Sequence, residues 1–222
     1  FVTIYDDPTV EKFQDKSLAG YYQYDDEGVK SEKTSIIENG VLKNFLMSRS
    51  PIKGFNRSNG HGRKQLGYRA VSRQGNLIME PSKKVPFEEL KKLLVEECKK
   101  QNKPYGYLFK DISGGFTTTN RRGPQSFKVI PLVVYRIYAD GKKDELVRGV
   151  DIVGTPLMVL SKIIAAGDDP GVFNGVCGAE SGSVPVSAIS PSILVSEIEI
   201  EKKDKGENKP PVLPAPITEA GK

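Results

Sequence analysis

One thiol set among glycines carries the strongest chemical signal in this chain: Cys177, within Gly171-Val-Phe-Asn-Gly-Val-Cys-Gly-Ala-Glu-Ser-Gly-Ser-Val-Pro-Val186. Glycines let the backbone come close to a buried group, and a thiolate is a ligand for zinc, which at a catalytic site takes three protein ligands and keeps a fourth position for water. The chain holds one histidine, His61, and one other cysteine, Cys98. A His-His-Cys site built on Cys177 therefore takes both imidazoles from outside this chain, and the sequence reads as part of a larger enzyme. Its opening, Phe1-Val-Thr-Ile-Tyr-Asp-Asp-Pro8, has no initiator Met and no targeting segment, which sets the expectation of a preceding segment. Val176, Val184 and Val186 are expected to anchor the thiol segment in the core.

Other candidate groups are weaker. His61 lies in a glycine loop, Ser58-Asn-Gly-His-Gly-Arg63, and not at a metal-ligand spacing; Gly60, His61, Gly62 and Arg63 form the candidate substrate-binding set, with a hydrogen-bonding loop as the alternative. Asp25, Asp26 and Glu27 could serve acid/base chemistry or a cation, but adjacent side chains diverge, so a turn with capping carboxylates is expected. Arg63 and Arg148, each beside a glycine, could grip a peptide carboxylate through the guanidinium fork or act structurally. Cys98 falls on a helical stripe and reads as a small buried hydrophobe.

The elements that would position these groups are mostly strands and turns. Asn39-Gly40, flanked by apolar positions, predicts a hairpin, because a type I′ turn needs positive φ at both central residues. Asp140-Gly141 predicts a second turn, joining the run Phe127 to Tyr138 to Glu145-Leu-Val-Arg148. Pro86 can open a helix to Gln101 with Phe87, Leu90, Leu94 and Cys98 on one face, and Thr155-Pro156 can open another to Ala166. Asp111-Ile-Ser-Gly-Gly-Phe116 and Asn120-Arg-Arg-Gly-Pro124 read as tight turns. The fold class expected is α+β, predominantly antiparallel and barrel- or sandwich-like, with two main packing helices. One domain is expected over 1–198, followed by a charged, Pro-rich tail over 199–222 that reads as extended or disordered, with a packing arm as the alternative.

Composition bounds the rest. The 222 residues, 37% of them hydrophobic, suffice for an ordinary core. The longest apolar run, Val129-Ile-Pro-Leu-Val-Val134, falls far short of the roughly 18 residues of a membrane span. The net charge of +5 is uneven: Lys43 to Lys84 carries ten Lys or Arg against Glu80 alone, leaving the remainder acidic. That block could attract phosphate or an acidic partner. Its aromatics are only Phe45, Phe55 and Tyr68, so nucleic acid is not expected as a partner.

Asp25-Asp-Glu-Gly28, Ile37-Glu-Asn-Gly-Val-Leu-Lys-Asn-Phe-Leu46, Asn59-Gly-His-Gly-Arg63, Leu146-Val-Arg-Gly149 and Gly175-Val-Cys-Gly178 through Val184-Pro-Val186 follow one another in an order that resembles the TldD/PmbA metallopeptidases, peptidase family U62, also called modulators of DNA gyrase. The resemblance covers roughly 1–198. It implies a C-terminal domain whose Cys177 is one zinc ligand, with two histidines and a general-base Glu on an upstream His-Glu-x-x-x-His helix. It further implies zinc in the full-length protein and none in this chain alone, peptidase action on short or unfolded peptides only at full length, and an inactive isolated chain. A homologous subunit as dimer partner, homo- or hetero-, and cytoplasmic residence follow from the same likeness, with export as the alternative. Gyrase association is not expected. The alternative function is a non-catalytic peptide- or partner-binding subunit of the same family. The chain departs from the family pattern at Ser58-Asn-Gly-His-Gly-Arg63 and in its tail.

Overall fold

The protein is described by a computed structural model over residues 1–118 and 125–203; the turn expected at Asn120 to Pro124 and the tail beyond Lys203 lie outside the described residues. The chain folds as two compact units, one made of Phe1–Glu97 with Lys162–Ser196, the other of Cys98–Ser161 with Glu197 onward. The architecture is α+β and almost wholly antiparallel, and its sheets stay open, so the barrel-like closure among the expectations is not adopted.

The first unit is built on a six-stranded sheet ordered Gly171–Ala179, Gly182–Ser190, Asn76–Pro81, Val2–Asp6, Thr34–Glu38, Val41–Leu42. Asn39 and Gly40, at φ 49° and 82°, turn the last hairpin as their types predict. One pairing is parallel, Gly182–Ser190 on Asn76–Pro81, with Ser187 opposite Asn76. Leu18, Ile78 and Ile189 form the core on one face, packed by Tyr5, Val10, Phe13 and Val172.

The first helix is Phe87–Lys100, with Glu88 and Glu89 in its first turn and Lys99 and Lys100 in its last, charges that complement the helix dipole. Leu90 is buried on its inner face. Asn102, at φ 54°, ends the run in the left-handed conformation. The second helix is shorter than its sequence suggests, Pro156–Ser161, because Ile163–Ala166 forms a strand on Ile193–Val195. The β-branched Ile163-Ile164 pair suits that strand.

The second unit centres on the long hairpin Tyr105–Thr118 and Ser126–Tyr138, flanked by Glu145–Val147, Val150–Gly154 and Glu199–Lys202. The expected antiparallel pairing across Asp140-Gly141 forms, with Arg136 opposite Glu145. Gly114 and Gly115 lie within the strand Tyr105–Thr118 and not in a turn. They stand beside register shifts at Pro131, which cannot donate a ladder hydrogen bond.

Candidate functional site

Cys177 lies on the terminal strand of the six-stranded sheet, so one edge of its strand has no neighbour in that sheet. It stands opposite Val184, and Gly175 opposite Val186. Residues directly opposite in an antiparallel pair share a face, which puts the thiol on the side of Val184 and Val186, both buried, with the sulfur residue itself half-buried. Val176, expected beside those valines, points the other way by strand alternation and is 69% exposed. On that second face Asn174 Oδ1 accepts from Ser187 Oγ at 2.7 Å and from the Ala19 amide at 3.1 Å, while its Nδ2 donates to the Ser17 carbonyl at 2.9 Å. A Cβ placed on Gly178 would meet nothing within 4 Å, and strand alternation puts that open space on the face of Asn174 and Val176, opposite the thiol.

Two buried arginines fix the hairpin that carries the thiol. Arg73 donates from Nη1 to Ser181 Oγ at 2.7 Å and to the Gly182 carbonyl at 3.0 Å, and from Nη2 to the carbonyl of Cys177 itself. Arg63 donates from Nη1 to the carbonyls of Pro185 at 2.7 Å and Gln74 at 2.8 Å, with its guanidinium over the Tyr22 ring. Burial lowers the Arg63 pKa and raises that of the Tyr22 phenol. Two of the ten cations in the basic stretch are therefore enclosed and used internally, while a third, Arg57, forms a two-pronged pair with Glu32 at 3.0 and 3.1 Å. Sequence reading missed Arg73; a lone Arg before a strand carries no signal of which distant carbonyls it reaches.

The glycine loop lies inside the same unit. His61 is fully enclosed: its Nδ1 sits 3.0 Å from the Asn59 carbonyl and 2.9 Å from Asn59 Oδ1, and its Nε2 3.2 Å from Asp6 Oδ1. The Asn59 orientation is fixed, since Oδ1 accepts from the Met47 amide at 2.7 Å and Nδ2 donates to the Phe45 carbonyl at 3.0 Å. Asp6 also accepts from the Gly75 amide at 3.0 Å. Gly60 and Gly62 are buried, and Arg63 is 7% exposed. Gly60 holds φ 75°, where a Cβ would come 2.4 Å from the Lys30 carbonyl oxygen. The acidic cluster caps backbone amides: Asp25 accepts from Glu27, Val29 and Gly62, and Asp26 from Lys64. Arg148 is exposed and Cys98 buried.

Among the described residues, no three His, Cys, Asp or Glu side chains gather where a metal ion could be held. Cys177 is a single donor, so the described residues do not by themselves fit a zinc ion.

Comparison with known proteins extends over nearly the same stretch. Residues 1–202 match the family model of the PmbA/TldA metallopeptidase C-terminal domain. A metalloprotease of Methanocaldococcus jannaschii is 33% identical over 84% of this chain and 37% of its own length. A zinc metalloprotease TldD homolog of Saccharolobus solfataricus is 30% identical over 90% of this chain and 41% of its own. Among solved structures, a putative modulator of a DNA gyrase from Thermotoga maritima superimposes with a TM-score of 0.56 at 26% identity, covering 90% of this chain and 39% of that one. TldE from Thermococcus kodakarensis gives the same TM-score, 0.56, at 23% identity over the same shares, and shows the fold. The chain thus spans about two fifths of the length of the curated relatives it matches. No helix of the described residues is long and apolar enough to cross a membrane.

Proposed function

The chain belongs to the TldD/PmbA metallopeptidase family, and on that premise we propose that it is the peptide- or partner-binding part of such a protein, with the strand Gly171–Ala179 as the binding edge. The observation that carries this reading is the strand's place at the end of its sheet, nine residues long, with Phe173 52% and Val176 69% exposed. An extended peptide adds to such an edge through main-chain hydrogen bonds, which gives affinity with little sequence demand. Long apolar edges are otherwise covered or charged, and this one carries no Lys, Arg, Asp or Glu. The buried glycine loop and its two arginines act in this reading as supports that hold the edge flat. The test is titration of the chain with unstructured peptides of varied sequence, read by amide chemical shifts. Saturable shifts confined to Gly171–Ala179 are expected, and Val176→Pro should abolish them. Shifts spread over other strands, or none, would refute it.

A second reading keeps Cys177 as one ligand of a zinc site completed by residues outside this chain. It is supported by the half-buried thiol on the terminal strand of its sheet, and by the name of the Saccharolobus relative. Its test is metal content of the longer protein with Cys177→Ser: loss of bound zinc with an unchanged melting curve for the domain is expected, and retained zinc would overturn it. Under either reading a homologous subunit is the proposed dimer partner.

A further inference from the structure

Phe173 lies over Gly175. A Cβ placed on Gly175 would come 2.5 Å from Phe173 Cε1 and 2.6 Å from Cζ, so the ring leans along its own strand and covers the glycine. The two residues share one face with Cys177 by strand alternation. The ring is nonetheless 52% exposed, since Gly171–Ala179 ends its sheet and among the described residues no strand flanks it on that side. An aromatic ring over a strand glycine gains most when a neighbouring strand adds an apolar side chain to the same face.

The partner strand shows where the backbone groups point. The Ser187 amide donates to the Gly75 carbonyl, so Ser187 faces Asn76–Pro81, and Asn174, which stands opposite it, turns its own N–H and C=O to the open edge. By alternation Val172 and Val176 do the same, whereas Phe173, Gly175 and Cys177 bond inward. A peptide added antiparallel is therefore held through Asn174 and Val176. Its residue opposite Gly175 falls in a non-hydrogen-bonded pair, the closer of the two kinds, with Cα atoms about 4.5 Å apart. Glycine leaves room there, and Phe173 supplies the wall.

We infer that Phe173 and Gly175 form a subsite for one aromatic or large aliphatic side chain of the bound peptide, which sets the peptide's register against Cys177. This rests on the reading of Gly171–Ala179 as a peptide-binding edge. Main-chain bonds alone leave an extended peptide free to slip along that edge. A side chain seated on the Phe173 ring stops the slip, and in an antiparallel peptide the residue two positions before it then stands opposite Cys177 on the same face. Charge defines the flanks. No Lys or Arg occurs between Lys162 and Lys202, while Asp168, Asp169 and Glu180 bracket the strand, all exposed. The buried Arg73 is taken up by its own three acceptors. The ligand is thus an extended peptide with a central apolar residue and basic flanks.

The test uses capped heptapeptides Lys-Thr-Thr-X-Thr-Thr-Lys with Phe, Leu or Ala at X, titrated into the chain and into Phe173→Ala and Phe173→Leu, and read by the amide shifts of Gly171–Ala179. The Phe peptide should bind about threefold to fivefold tighter than the Ala peptide. Nuclear Overhauser contacts should join its ring to Phe173, and the Thr two positions before it to Cys177. In Phe173→Ala the Phe and Ala peptides should bind alike, and Phe173→Leu should keep part of the preference. Exchanging both terminal Lys for Glu should weaken binding at low salt and matter little once salt screens the charges. Equal affinity of the Phe and Ala peptides for the unsubstituted chain would overturn the subsite and leave the edge reading intact; this comparison needs no variant to fold. A preference for Phe that survives in Phe173→Ala would overturn it too, as would tighter binding of the Glu-ended peptides. Absence of saturable shifts in Gly171–Ala179 with every peptide would instead refute the edge reading itself.

Discussion

Arg73 donates from Nη2 to the main-chain carbonyl of Cys177, so an arginine only 6% exposed grips the residue that carries the thiol. Among the described residues no carboxylate shares this arginine in its hydrogen bonds: its other acceptors are Ser181 Oγ and the Gly182 carbonyl. The cation is held by oxygen dipoles, and the hairpin end is shaped around it.

Replacing Arg73 by Met should therefore remove the donor these three acceptors share and cost about 2–4 kcal/mol, a fall in Tm of roughly 4–16 °C for a chain of this size. Thermal unfolding by circular dichroism checks it. In the same variant, amide exchange should quicken at Cys177 to Val184 before it does at Asn76–Pro81. Uniform quickening would mean that the arginine supports the whole sheet and not the hairpin.

The enclosed pair of His61 and Asp6 should behave as one unit. His61→Ala leaves the Asp6 carboxylate buried with the Gly75 amide as its remaining donor, and should cost about 3 kcal/mol or more. The double variant with Asp6→Asn should lose at least about 1 kcal/mol less than the sum of the single losses. Chemical denaturation of the four proteins provides the cycle, and simple additivity would rule out the coupling.

Two glycines should respond in opposite ways. Gly60→Ala forces a Cβ against the Lys30 backbone at φ 75° and should destabilise by about 3 kcal/mol or more. Gly178→Ala meets open space and should change stability by less than about 0.5 kcal/mol. If Gly178→Ala is silent here yet lowers metal content in the longer protein, the clearance at Gly178 is used by something outside this chain. An equal loss from both substitutions would contradict the open space at Gly178.

The hairpin at Asn39-Gly40 and the Phe87–Lys100 helix were legible because their signals are local: a dipeptide that tolerates positive φ, and an apolar stripe with charges sorted by helix end. The burial of His61 and Arg73 was not, since it depends on Asp6 and on the Ser181-Gly182 turn, both remote in sequence. Ile163-Ile164 shows the same limit. Its apolar spacing extends the Pro156 helix on paper, yet Ile193–Val195 offers a strand partner that only the fold brings near. For Cys177 the sequence revealed the residue and its glycine setting, but not that it sits on a sheet edge.

The exposed pair of Glu32 and Arg57 supplies a pH prediction. Its hydrogen bond to Arg57 holds the Glu32 carboxyl below its ordinary value of 4.5. A depressed carboxylate contributes stability above the unfolded value, and that contribution is lost as pH falls through the folded one. Glu32→Gln should thus cost no more than about 0.5 kcal/mol at pH 7, after solvent screening, and nothing at pH 2. Denaturation curves at both pH values check the sign; a larger difference in acid would reverse it.

The parallel pairing of Gly182–Ser190 on Asn76–Pro81 has a consequence for biosynthesis. The strands that meet there are separated by roughly a hundred residues, and contacts of such range form late. Until the ribosome has released the distal hairpin, Asn76–Pro81 can pair with Val2–Asp6 but has nothing on its other flank. The intervening segment Cys98–Ser161 emerges during that wait. A nascent chain halted before Gly182 should accordingly be sticky and dependent on chaperones, and one halted after Ser190 should not.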